Sequence, residues 1–335
     1  MKIALLSRKL TPAQIELDNA IWRSDIETTR AVSAALCTLG HTVKVVSPEP
    51  IENLVQLSCD LAFNACDDGF NGISSLEPHL PALLDVLQIP YTGSDYFTLA
   101  LCLNKPFTKQ LLLANGVRTP SFQVFQTGYE KLNPSLEFPL IVKPANEDAS
   151  IGITDSSVIR KKEHLMAKVR DIIVTYRQPA LVEEYIEGRE FNVGILGTTK
   201  PNVLPLSEIM FNLPEGMNNI CTYEAKWNAG HAAYQGTQPQ CPAVVSKKLG
   251  REMIAIALKA YFLLGCRDYG RVDFRVDCSG TPYVLEVNPN PDISPAAGLA
   301  NMVSKAGLDY TKLIGAIIDS CLERRTPVQE KNKKQ

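Results

Sequence analysis

Asp273, Glu286 and Asn288 are three oxygen-bearing side chains that stand with Arg271 in a stretch where apolar and polar residues alternate. Residues 269–277 and 282–291 flank a turn signal, Asp277-Cys278-Ser279-Gly280-Thr281, so the stretch predicts a β-hairpin. With the turn centred between Ser279 and Gly280, antiparallel pairing sets Asp273 opposite Glu286 and Arg271 opposite Asn288. Val272, Phe274, Val276, Tyr283, Leu285 and Val287 then form the apolar face. Carboxylates set opposite each other repel unless a cation lies between them. An all-oxygen set suits a hard ion such as Mg²⁺, which shares its shell with substrate phosphates. A half-solvated hairpin with a charged outer face shows the same alternation, and this stretch alone does not separate the two readings.

Other residues have two readings as well. Lys143 ends an apolar strand at Pro144, where it suits a phosphate or simply snorkels to solvent. Lys105 opens a helix. Glu183 and Glu184 lie in a strand, with one able to face a ligand, and Glu190 follows Gly188-Arg189. Lys226-Trp227 falls in a long irregular segment, where a tryptophan is expected to pack or cap something. There is no Walker A pattern and no nucleophile motif around a serine or cysteine.

Strands at 2–7, 42–46 and 60–64, with helices from Ser24 or Asp25 to Leu39 and near 80–87, predict a parallel α/β domain over residues 1–103. Beyond it, helix 105–115, strands 122–125, 140–143 and 180–186, and helix 161–176 form a central unit, 104–186. The last unit, 187–325, holds strands 191–196 and 203–209, an irregular stretch 212–242, helix 246–264, the hairpin and helix 310–322. Residues 323–335 are polar and lysine-rich, and a disordered tail is expected, its last ten residues (326–335) outside the three domains.

With 335 residues the chain can bury cores for two or three domains, and its 45% apolar and 21% charged residues are those of a soluble globular protein. A net charge of −2 argues against nucleic acid or an anionic membrane as partner. No run is long and apolar enough for a membrane span, and residues 1–7 are too short for a signal peptide. Nine scattered cysteines without a CxxC pair read as buried reduced thiols, which with the missing leader predicts a cytoplasmic protein; four histidines show no zinc spacing.

In order, Ile89-Pro90-Tyr91-Thr92-Gly93-Ser94, Asn104-Lys105, Ile141-Val142-Lys143-Pro144, Val182-Glu183-Glu184-Tyr185-Ile186 with Glu190, Tyr223-Glu224-Ala225-Lys226, Gly270-Arg271-Val272-Asp273 and Leu285-Glu286-Val287-Asn288 resemble the D-alanine–D-alanine ligase family of the ATP-grasp superfamily. The resemblance covers nearly the whole chain and is strongest from Leu140 onward. It implies a three-domain ATP-grasp fold, α/β at the N-terminus and α+β in the C-terminal half, with ATP between the second and third domains. Lys105, Lys143 and Lys226 would neutralise phosphates under a loop, 146–152, that includes Ser150. Glu183, Glu184 and Ile186 would meet the adenine and Glu190 the ribose. Asp273, Glu286 and Asn288 would hold two Mg²⁺, with Mn²⁺ as a substitute, and Arg271 would stabilise a tetrahedral centre. A homodimer is also implied.

The substrate half departs from the family. Ile21 stands where a glutamate would grip the first amino acid, with Asp25 and Glu27 nearby. Ala149 replaces a serine, Trp227 a tyrosine and Asp292 an oxyanion-binding glycine, and the segment at Ser294 also differs. The leading expectation is therefore an ADP-forming C–N ligase that joins an amino acid to a second small-molecule acceptor in biosynthesis, with imine formation on a mycosporine-type core as one branch. The alternatives are a cell-wall D-alanine–D-alanine ligase and a non-catalytic ATP-binding regulator.

Overall fold

The structure, a computed structural model, describes residues 1–8, 20–67 and 69–325. Part of the expected tail, 326–335, lies outside them. The chain opens with β1 (Lys2–Leu6), α1 (Ala20–Thr38), β2 (Thr42–Val46), α2 (Glu52–Val55), β3 (Leu61–Asn64), α3 (His79–Val86) and α4 (Tyr96–Leu103). The strands form a parallel sheet of order β2-β1-β3. Ile3, Ala4, Leu5 and Leu6 are all buried, because helices or loops cover both faces of a parallel strand. Helix α4 has no place in the sequence reading. Its residues are nearly all apolar, so no 3.6-residue period shows, and its start is visible only in Asp95, which accepts from Thr98 N.

The second unit comprises α5 (Lys105–Ala114), β4 (Phe122–Phe125), β5 (Leu140–Pro144), β6 (Val158–Ile159), α6 (Lys162–Tyr176) and β7 (Ala180–Glu184). Its antiparallel sheet runs β4-β7-β5-β6. Leu165, Val169 and Ile172, one turn apart on α6, close its core.

The third unit comprises β8 (Gly188–Leu196), β9 (Asn202–Val203), β10 (Ser207–Phe211), α7 (Tyr223–Trp227), α8 (Ala232–Gly236), β11 (Thr237–Gln240), α9 (Lys247–Leu263), β12 (Tyr269–Asp277), β13 (Pro282–Asn288), α10 (Gly298–Lys305) and α11 (Tyr310–Arg325). The sheet order is β11-β10-β8-β12-β13, with β9 beside β8. α10 and α11 turn back to the first sheet: Leu299, Met302, Leu313, Ile314 and Ile317 share one core with Ile3, Leu5, Leu36 and Phe63.

Three expectations are corrected here. The strand expected over 203–209 is two strands, interrupted at Leu204-Pro205-Leu206, because proline cannot donate to a ladder. The stretch 212–242 is not irregular throughout. Thr222 caps α7 through Ala225 N, His231 caps α8 through Ala233 N, and β11 tolerates Pro239 as an edge strand. No helix among the described residues is long and apolar enough to cross a membrane. None of the nine cysteines forms a disulfide, but Cys37 and Cys278 are exposed, against the expectation of uniform burial.

Candidate active site

The hairpin pairs Asp273 with Glu286 and Arg271 with Asn288, so the four groups flank one another on adjacent strands. Beyond Asp273 the register slips: Phe274 faces Val284, Arg275 faces Tyr283 and Val276 faces Pro282. Leu285 is the extra residue of a β-bulge. The turn is correspondingly one residue tighter, drawn in by Asp277 Oδ1, which accepts from Ser279 N and Thr281 N. This corrects the apolar face. Val284 and Val287 enter the core, whereas Tyr283 and Leu285 are only half-buried and Leu285 lines a cleft.

That cleft, about 810 Å³, lies between the second and third sheets and reaches α1. It is the size of a pocket for a nucleotide-sized ligand. One wall carries Lys143, Ser150, Glu183, Glu184 and Ile186. The other carries Glu190, Lys226, Trp227, Arg271, Asp273, Glu286 and Asn288, and Asp25 and Asp292 lie at the far end. Lys105 reaches it through Glu286 Oε2, 3.2 Å from Nζ. Glu27 is elsewhere: two positions past Asp25 on a helix, it points into a separate hollow with Arg30 and Pro295. Ser294 is buried, and its N and Oγ both donate to Asp292. These two are therefore not brought to the cleft. The side chain of Ile21 lies outside the described residues.

Electrostatics divide the cleft. Glu286 keeps its charge: burial opposes ionisation, but Lys105, Lys226, Lys143 and Arg271 together hold it well below the usual carboxylate range. Arg271 makes a bidentate pair with Asp273 at 2.8 and 2.9 Å, and Asn192 Nδ2 donates to the same carboxylate at 2.7 Å. Asp148 is pushed up by burial, with Lys105 opposing. Glu190 is also raised, by burial first, although Arg275 Nε donates to it at 3.0 Å. Glu183 is held between Lys143 and Lys109, each 2.7 Å from one oxygen, so its carboxylate is engaged by lysines rather than turned to a base.

The loop over this wall is strained and pinned. Ala149 and Ser150 are both left-handed, at φ 47° and 63°. Ser150 Oγ donates to Cys221 O at 2.8 Å, and Trp227 Nε1 donates to Ala149 O at 3.2 Å. The loop is thus tied to α7, which carries Lys226, and to the residue before its cap. Lys109, Asn192, Arg275 and Asp148 were missed by sequence reading. Asp148 could have been taken from the loop itself, but the other three sit in strands or helices without a local signal.

Asp273, Glu286 and Asn288 fit a hard divalent cation by donor chemistry, offering two carboxylates and an amide oxygen on neighbouring strands. Their negative charge is met here by Arg271 and Lys105. Among the described residues no group of three or more His, Cys, Asp and Glu is gathered so as to hold a metal ion.

The family described as "D-ala D-ala ligase C-terminus" matches residues 111–319. The D-alanine–D-alanine ligase of Gloeobacter violaceus is 33% identical over 303 residues, covering 88% of this chain and 93% of that protein. The enzyme of the same name from Aquifex aeolicus is 31% identical over 296 residues, 88% of this chain and 94% of its own. A Sinorhizobium fredii protein, y4sG, described as uncharacterized, is 38% identical over 243 residues, 72% and 69% of the two chains. Among solved structures, the D-alanine–D-alanine ligase of Bacillus anthracis complexed with ATP superposes with a TM-score of 0.74 at 23% identity, covering 97% of this chain and 98% of that one, which gives the ATP-grasp fold. Matches of this extent, on a chain whose Arg271, Asp273, Glu286 and Asn288 line one cleft with Lys143 and Lys226, make it a member of the D-alanine–D-alanine ligase family.

Proposed function

We propose that this protein is an ADP-forming, ATP-dependent C–N ligase that couples an amino-acid amine to an acceptor other than a second D-alanine. The observation that carries the reading is the cleft itself. Lys143 faces the wall that carries Lys226, Arg271, Asp273, Glu286 and Asn288 across it. An acceptor oxygen, of a carboxylate or a vinylogous acid, attacks the γ-phosphorus of ATP as the bond to the bridging oxygen breaks and ADP leaves. The amine then adds, phosphate departs, and the nitrogen loses its proton. Lys105, Lys143 and Lys226 neutralise the phosphates, Arg271 offsets charge on the tetrahedral centre, and Glu190 with Glu184 and Ile186 holds the nucleoside end. When Mg²⁺ is bound at Asp273, Glu286 and Asn288, it supplies charge neutralisation to the transferring phosphoryl group.

The altered substrate end supports the distinct acceptor. Trp227 bonds a backbone carbonyl of the loop, and the carboxylate of Asp292 is spent on Ser294. A second reading, a cell-wall D-alanine–D-alanine ligase, is favoured by the names of relatives that match along nearly their whole length. ADP release with Mg²⁺-ATP and D-alanine alone, with product mass, separates them. D-alanyl-D-alanine supports the second reading. Silence with D-alanine, and turnover when an amino acid is paired with a separate acceptor, supports the first, and the product mass tells amide from imine.

A further inference from the structure

Lys109 is a buried cation that does not line the cleft. It lies one turn after Lys105 on α5, 1% exposed, behind the cleft wall. Its Nζ lies 2.7 Å from Glu183 Oε1 and donates to Thr119 Oγ1 at 2.7 Å and to Leu285 O at 3.0 Å. The other oxygen of Glu183 lies 2.7 Å from Lys143 Nζ, which does face the cleft. Leu285 is the bulge residue immediately before Glu286, whose carboxylate meets Lys105. A single helix face thus grips strand β7 through Glu183 and strand β13 through Leu285 and Glu286, one from each sheet that walls the cleft.

The charge count gives this arrangement a consequence. Glu183 carries one negative charge and is flanked by two ammonium groups. With Lys109 in place the cluster has one positive charge left over, and Lys143 is the member that can present it. Without Lys109, Lys143 and Glu183 cancel, and in a low-dielectric wall a cancelled pair attracts phosphate weakly.

We propose that Lys109 is a positioning residue for polyphosphate binding: it neutralises Glu183 so that the charge of Lys143 is free for the phosphates, and it fixes the bulge that aims Glu286. This rests on the reading of the cleft as a nucleotide site.

The test is nucleotide affinity by calorimetry, with Mg²⁺, for ATP and for AMP, on the full chain and on Lys109→Met, Lys109→Arg and Thr119→Val. For Lys109→Met, ATP binding is expected to weaken on the order of tenfold, as for loss of a charge-assisted interaction, while AMP binding changes by less than about twofold. Lys109→Arg retains the charge and should keep most of the ATP-to-AMP ratio. Thr119→Val should lower that ratio by a smaller factor, and it carries the measurement if Lys109→Met does not fold. Parallel loss of ATP and AMP affinity, or an unchanged ratio in a folded variant, would mean that Lys109 serves only stability and would overturn the proposal. Failure of the unmodified protein to bind ATP would instead overturn the nucleotide-site reading, and this proposal with it.

Discussion

Glu286 is the residue on which the cleft's charges converge: four cations hold it ionised against burial, and its neighbour Leu285 is held by a fifth, Lys109. Glu286→Ala is expected to reduce ADP formation by at least about a hundredfold, because the ion site loses one of its two carboxylates. The thermal melt should remain cooperative, and ordinary turnover in that variant would sink the ion-binding assignment. Lys109 makes a second prediction, in pH. Burial lowers its ammonium to about 8 from an ordinary 10.5, with Glu183 opposing. The unfolded chain therefore holds this proton more tightly, so the penalty is full below pH 8 and gone above 10.5. The stability difference between the unmodified protein and Lys109→Met should move in favour of the former as pH rises through that window, as read by denaturant unfolding at each pH. None of this was legible at Lys109 in the sequence. A lysine on an amphipathic helix reads as solvated, and its partners Thr119 and Leu285 lie 10 and 176 positions away. Arg271, Asp273, Glu286 and Asn288 were legible because a strand's period of two is written in the residues themselves.

At the scale of elements, the loop between β5 and β6 decides how the cleft is roofed. Two consecutive left-handed residues, Ala149 and Ser150, are followed by Gly152 at φ +76°. A Cβ at Gly152 would lie 2.6 Å from Pro144 Cγ and 3.0 Å from Tyr176 Cζ, so this is a position where both backbone and space require glycine. Gly152→Ala is expected to cost about 1–3 kcal/mol and to weaken ATP binding, since relief of the clash must displace either the loop or the end of β5 that carries Lys143. A thermal melt and an ATP titration check both parts. The hairpin shows how element reading can succeed in its pairs and fail in its faces. Asp273 and Glu286 were paired correctly because the bulge lies just beyond them. Val284 was left out of the core because the turn is one residue shorter than its composition suggests. α4 and α10 escaped for the opposite reasons, the first because it is apolar all round, the second because it is short and opens with glycine.

Over the whole molecule, Asp268 ties the ends together. It is fully buried, adopts φ 67°, and accepts from Gly93 N, Thr198 Oγ1, Ser320 Oγ and Arg324. Arg324→Met leaves this carboxylate buried without its cation, and a loss of about 3–5 kcal/mol in unfolding free energy is expected by denaturant titration. The α/β character of the N-terminal third was legible from strands alternating with helices. The joint at Asp268 was not, since it is made of residues from three separate loops and helix α11. The core shared by β1, β3, α1, α10 and α11 has a consequence for the order of synthesis. The parallel sheet leaves the ribosome first, with Ile3, Leu5 and Phe63 lacking their partners Leu313, Ile314 and Ile317. The nascent chain must carry that uncovered face until α11 is made, so chaperones meet the protein before its first sheet is finished.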